Sequence, residues 1–217
     1  MLGPPGAGKG TQAERFARAR GIPKISTGDI LREAVHAGTE IGRRAQQVMD
    51  RGELVGDEVM IGIVGERLGR EDARGGFVLD GFPRTVAQAE ALDRIMAGRD
   101  PLIVVEIVVP EAELVRRLGT RMICELCGAN APIGDGATGV CARCGGRLVQ
   151  RADDNQAVVI ERLKIYHRQS EPLVEYYKVR PTFRSIDGAQ PPDRVAADLA
   201  AAVEAAGNGA LRQGVRG

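Results

Sequence analysis

The chain has 217 residues, a length for one domain or for one domain with sizeable insertions. Its 43% hydrophobic and 27% charged residues exclude a long disordered chain. Thirty basic residues against 29 acidic ones leave a formal net charge of +1, and aromatics are 3% with no Trp, which argues against a surface that seeks nucleic acid or anionic lipid and against a base-stacking platform.

The predicted elements alternate between helix and strand. A glycine-rich loop at Gly3–Gly10 leads into a helix over 11–20, and a short strand follows at 22–26. Thr27 is expected to cap a helix reaching about residue 37, with a second helix near 41–51. Asp57 is expected to cap a helix from Glu58 to about Leu68, with Val59, Ile63 and Val64 on one face. Phe77 to Leu79 reads as a buried strand ending at Asp80, residues 86–97 as a helix, and Leu102 to Val109 as a buried β-branched strand. A helix is expected from Glu111 to about Leu118.

Residues 121–151, rich in Gly and Cys, break the pattern. Helical spacing returns from Asn155 to about Tyr177, broken or kinked at Pro172. A last strand spans Phe183 to Ile186 and a last helix Asp193 to Ala206, with residues 207–217 as a mobile tail. Such alternation implies an α/β fold with a mostly parallel sheet flanked by helices. No run of about 18 apolar residues suggests a membrane span, and the start lacks the apolar stretch of a signal peptide. A cytosolic protein is therefore expected, whose four Cys bind metal or stay free.

Gly3-Pro4-Pro5-Gly6-Ala7-Gly8-Lys9 fits the phosphate-loop pattern G-x-x-x-x-G-K. The glycines let backbone N–H groups turn toward an anion, the next helix presents its positive end, and Lys9 can reach terminal phosphates. The residue after Lys9 is Gly10, so the hydroxyl that usually meets Mg²⁺ comes one position later, at Thr11. Only Met1 and Leu2 precede the loop, where a strand of about 5–6 residues is usual. Added apolar residues upstream are expected to raise the melting temperature.

Cys124-x-x-Cys127 and Cys141-x-x-Cys144 are separated by 13 residues, and each second Cys is followed by a glycine. Two such turns suit a closed tetrahedral site for structural Zn²⁺, which can give shape to a segment too small to have a core. His36 and His167 read as solvated surface residues, and no Ser/His/Asp nucleophilic set is present.

Gly3–Thr11, Ser26-Thr27-Gly28-Asp29, Asp80-Gly81-Phe82-Pro83-Arg84-Thr85 and Arg151-x-Asp153-Asp154 together resemble adenylate kinase over nearly the whole chain. The resemblance implies a P-loop nucleoside-monophosphate kinase. It carries a small helical AMP-binding insertion at 26–55 and a zinc-bound lid at 117–152. The implied reaction is phosphoryl transfer from MgATP to AMP, giving two ADP. The resemblance assigns Gly3, Gly6, Ala7, Gly8, Lys9, Gly10, Thr11, Arg117, Arg121 and Gln190 to ATP, Gln190 through its backbone. It assigns Thr27, Arg32, Gly81, Arg84, Gln88, Arg151 and Arg162 to AMP, with Gln88 reading the adenine edge. Lys9, Arg84, Arg117, Arg121, Arg151 and Arg162 are the implied catalytic cations, Asp80 orients Mg²⁺ through water, and Asp153 and Asp154 lie at the lid hinge.

Two nucleotides bring a charge on the order of −6. Lys9 and the six arginines named (Arg32 with the five catalytic ones) match it, because phosphoryl transfer needs positioning and charge neutralisation. Two departures stand out: Met122 follows Arg121 where a second base is usual, and Gln190 replaces a lysine. Thr27 and Gln88 favour AMP over another nucleoside monophosphate. The balanced charge opposes a nucleic-acid-binding zinc ribbon. An inactive nucleotide-binding protein is the alternative that the short first strand suggests. A monomer is expected.

Overall fold

A computed structural model of the chain describes residues 1–131, 139–151, 154 and 156–214. Two parallel strand pairs form its centre. β1 (Lys24–Ser26) pairs with β2 (Val78–Asp80) in the register Lys24 to Val78 and Ser26 to Asp80. β3 (Val104–Val108) pairs with β6 (Phe183–Asp187), from Val104 opposite Phe183 to Val108 opposite Asp187. Met1 and Leu2 stand between the pairs. The Leu2 N–H donates to Val105 O at 2.8 Å and Leu2 O accepts from Ile107 N at 3.0 Å, while the Met1 nitrogen donates to Leu79 O at 2.9 Å. Two residues thus join β2 to β3 and place the glycine loop at the ends of both.

Helices cover this sheet. α1 (Lys9–Arg20) and α9 (Pro192–Gly214) pack on each other, and α9 lies on β6 and β3. One core gathers Val105, Ile107, Leu118, Leu163, Val195 and Leu199. A second gathers Ile25, Val64, Leu68, Leu79, Phe82 and Leu92, from α4 (Asp57–Leu68), α5 (Val86–Met96) and the β1–β2 pair. Each fully buried side chain of this size stabilises the fold by about 1.5–3 kcal/mol relative to exposure. Val108, expected within a buried run, is 47% exposed at the end of β3.

Several element ends differ from the sequence reading. Ser26, not Thr27, caps α2 (Thr27–His36), its hydroxyl accepting from Asp29 N. Thr27 is buried in the first turn, its Oγ1 donating to Gly81 O at 2.9 Å. Asp57 does not cap α4; Gly56 holds that position and the Asp57 carboxylate turns to α5. The predicted helix from 155 to 177 divides into α7 (Gln156–Ile165), a π turn (Tyr166–Ser170) and α8 (Pro172–Lys178). Pro172 opens the new helix, where its missing N–H has no intrahelical partner to lose. The last helix continues to Gly214 through residues read as a mobile tail.

α3 (Glu40–Asp50) packs on α2, and α6 (Glu111–Gly119) leads to an antiparallel pair, β4 (Met122–Cys124) with β5 (Leu148–Gln150). His36 and His167 are exposed, as expected. Among the described residues, no helix is long and apolar enough to cross a membrane.

Candidate active site

The loop from Gly3 to Gly8 turns tightly between Leu2 and α1. Gly3 sits at φ +135° with Ile107 O only 2.6 Å from where a Cβ would stand, so a side chain there is excluded twice, by conformation and by space. Lys9 folds back over the loop, its ammonium donating to Gly3 O at 2.7 Å and Pro4 O at 2.8 Å. Burial pulls the Lys9 ammonium down to about 7; Asp80 opposes this, while Arg84, Arg162 and Arg121 push further down. One carboxylate and three guanidinium groups thus bear on the charge of the lysine. Gly10 lies directly beside Asp80, whose Oδ2 would be 3.1 Å from a Cβ at that position. A side chain at this position would have to move the Asp80 carboxylate by a few tenths of an ångström.

Two open recesses, of about 600 Å³ each with the solvent at their mouths included, meet at this point. One is lined by Gly3, Pro5, Lys9, Pro83, Tyr166 and Ser170. The other is lined by Thr27, Arg32, Leu54, Met60, Gln88 and Arg151. Gly52, Leu54, Gly81, Arg84 and Arg162 belong to both, so the two cations Arg84 and Arg162 stand where the recesses join. The Gly81 carbonyl collects Thr27 Oγ1 and Arg84 Nε, each at 2.9 Å. A Cβ on Gly81, at φ +80°, would lie 3.0 Å from that threonine oxygen. Ser170, in the π turn, donates to Arg84 O at 2.9 Å and holds the arginine's backbone from the opposite side.

Of the residues predicted from sequence, Gly81, Arg84 and Arg162 line both recesses, Lys9 lines the one beside the loop, and Asp80 stands against Gly10. Thr27, Arg32, Gln88 and Arg151 surround the second recess. Arg121 is tied to Arg162 through Asp154, a side chain with no exposure. It binds Asp154 with Nε at 2.6 Å and a terminal nitrogen at 2.5 Å, and Arg162 reaches the same carboxylate at 3.0 Å. Arg117 donates to Glu113 on its own helix at 2.8 Å, and Gln190 bonds to Asp187 O and Asp198; neither lines either recess. Thr11 is exposed on α1. Asp153 lies outside the described residues. Asp57, Leu54 and Ser170 were missed. Asp57 was mistaken for a cap, and nothing in the local pattern shows that Ser170 meets Arg84, 86 residues away.

The four cysteines form a second constellation. Their sulfurs all lie within 4.8 Å of one another, with Cys124 to Cys144 at 3.4 Å and Cys127 to Cys141 at 3.8 Å. A tetrahedral Zn²⁺ with bonds of about 2.3 Å needs sulfurs roughly 3.8 Å apart, so the donor set fits that ion. Backbone hydrogen bonds shape the turns: Gly128 N donates to Cys124 O at 3.0 Å and Gly145 N to Cys141 O at 2.9 Å. The Cys127 backbone N–H draws the Cys124 thiol down, while hydrogen bonding with Cys127 and Cys124 pushes the Cys144 thiol up.

A family model described as adenylate kinase matches residues 1–182. The chain is 49% identical to an adenylate kinase of Archaeoglobus fulgidus over 94% of this chain and 96% of the relative. It is 50% identical to one of Geobacillus sp. strain WCH70 (92% and 94%) and 48% identical to one of Geobacter sp. strain M21 (94% and 98%). With the loop, the convergent cations and these relatives in agreement, the chain belongs to the adenylate kinase family of P-loop enzymes.

Proposed function

We propose that the chain transfers the terminal phosphoryl group of ATP to AMP, giving two ADP, in the cleft where the two recesses meet. An oxygen of the AMP phosphate attacks the γ-phosphorus as the bond from that phosphorus to the β-bridging oxygen breaks. The observation that supports this best is that Arg84 and Arg162 line both recesses, with Lys9 in the wall of the one beside the glycine loop. Such a transfer leaves little covalent work to the protein and needs positive charge around the moving group.

The Gly3–Gly8 loop and Lys9 would hold the ATP phosphates. Thr27, Arg32, Arg84 and Gln88 would hold AMP. Arg121, Arg151 and Arg162 would gather on the phosphates as the cleft closes. Asp80 would orient a phosphate-bound Mg²⁺ through water; that ion, when bound, neutralises phosphate charge. The segments 26–55 and 117–152 would act as AMP-binding insertion and lid. Cys124, Cys127, Cys141 and Cys144 would hold Zn²⁺ and stiffen the lid, whose closure excludes water as a competing phosphoryl acceptor. The reading includes a cytoplasmic monomer.

A coupled assay with ATP against AMP, UMP, CMP and GMP tests it. Turnover restricted to AMP is the expected result. A preference for another monophosphate would replace AMP in the reading, and binding of ATP with no turnover would remove the activity.

A further inference from the structure

We propose that Asp57 determines which purine Gln88 accepts, by fixing from behind the orientation of the Gln88 amide. The inference rests on the reading of Gln88 as the group that meets the base edge. Gln88 lines the AMP recess yet is only 2% exposed, so its amide is held by the protein rather than by solvent. Its Oε1 accepts from Arg84 N at 2.8 Å, and its Nε2 donates to Asp57 Oδ1 at 2.7 Å. A backbone N–H can only donate and a carboxylate oxygen accepts, so the chemistry of the two partners decides which end of the amide is oxygen. A turned amide would set N–H against N–H and carbonyl against carboxylate.

Asp57 is itself held. Its Oδ2 accepts from Thr85 Oγ1 at 2.8 Å, and the same Thr85 oxygen accepts from Gln88 N at 3.2 Å. The carboxylate does not line the recess; it is a positioning residue, acting only through Gln88.

The fixed amide has one N–H and one oxygen lone pair left for a ligand. Adenine offers the matching edge, an amino donor at C6 beside the N1 acceptor. Hypoxanthine and guanine offer the reverse, a carbonyl acceptor beside an N–H. An amide free to turn serves both edges, whereas one locked by Arg84 and Asp57 serves one. Asp57→Asn removes half of the lock, because an asparagine can present either oxygen or N–H to Gln88.

The test is kcat/KM for AMP and for inosine monophosphate, with ATP as donor, in the parent enzyme, in Asp57→Asn and in Gln88→Leu. A bidentate amide–adenine pair is worth about 5- to 150-fold in discrimination. Asp57→Asn is therefore expected to raise the inosine-to-adenosine ratio about 10-fold, through the KM of the monophosphate, with the KM for ATP as internal control. An unchanged ratio in Asp57→Asn, while Gln88→Leu raises the AMP KM, would overturn the role of Asp57. If Gln88→Leu also left the AMP KM and the ratio at the parent values, the base-edge reading of Gln88 would itself be wrong. The parent protein supplies a measurement that needs no variant to fold. The Gln88 side-chain amide proton that faces Asp57 should be slow to exchange with solvent in an NMR measurement. Exchange of both amide protons as fast as that of an exposed glutamine would overturn the lock.

Discussion

The nucleotide cleft and the four-cysteine segment are held in shape by different physics. The strands and the loop that carry Thr27, Gly81 and Lys9 into the cleft rest on hydrophobic cores. Thr27 and Gly81 follow strands whose other residues, Ile25 and Leu79, are buried with Phe82 and Leu92. The loop of Lys9 springs from Met1 and Leu2, which bond to Leu79 and to Val105. The buried set between β4 and β5 is Cys124, Cys141 and Leu148, and two of those three are sulfur donors. Burial of that size cannot offset the ordering of some thirty residues at about 1–2 kcal/mol each. One region can therefore carry tightly turned glycines and crowded like charges because its core supports them, while the other depends on its four sulfurs.

Chelation gives the sharpest contrast and the largest effect, since structural zinc supplies about 10–16 kcal/mol of apparent folding free energy in small domains. Metal removal, or Cys144→Ser, should open residues 122–150 to protease and lower the melting temperature, while the core stays folded. Elemental analysis before and after, with mapped cleavage sites, checks this; an identical melt would break the contrast. Next come Lys9→Ala and Arg84→Ala, each expected to reduce turnover about 10³-fold with circular dichroism unchanged. Activity within a few-fold of the parent would remove the cleft's assigned chemistry. Leu199→Ala, in the core beneath α9, should cost about 2–5 kcal/mol in denaturant unfolding, with no change in metal content.

The smallest effect is a proton count. Lys9 is depressed to about 7 by burial and by neighbouring arginines, so in the empty cleft it is mostly neutral at pH 8. Nucleotide phosphates favour its charged form. Binding at pH 8 should then take up close to one proton per site, and the uptake should vanish below about pH 6, where the lysine is already charged. Calorimetry in buffers of different ionisation enthalpy measures it. Absence of uptake at pH 8, or its survival in Lys9→Ala, would contradict the placement of this lysine.

Much of the site was readable in local patterns. Gly3 to Lys9 is a contiguous loop whose glycines answer to backbone geometry, and the cysteine pairs sit in short turns of fixed spacing. Asp80 to Arg84 follows a short apolar strand. Cap assignments failed because a cap is a competition. Ser26 and Thr27 are both good caps, and Thr27 lost the position because its hydroxyl meets Gly81 from a distant strand. Asp57 reads as a cap until α5 supplies Thr85 and Gln88 as partners.

The sequence by itself determined the alternation of strand and helix, the phosphate loop and the sulfur donor set, because each depends on neighbours within a turn or two. Tertiary structure alone decided that residues 1–2 complete the pairing of β2 and β3, that Asp154 joins Arg121 to Arg162, and that Ser170 supports Arg84. It also decided that Arg117 and Gln190 line neither recess. These contacts join side chains many residues apart, and which charges share a low-dielectric space is a property of packing that no local spacing encodes.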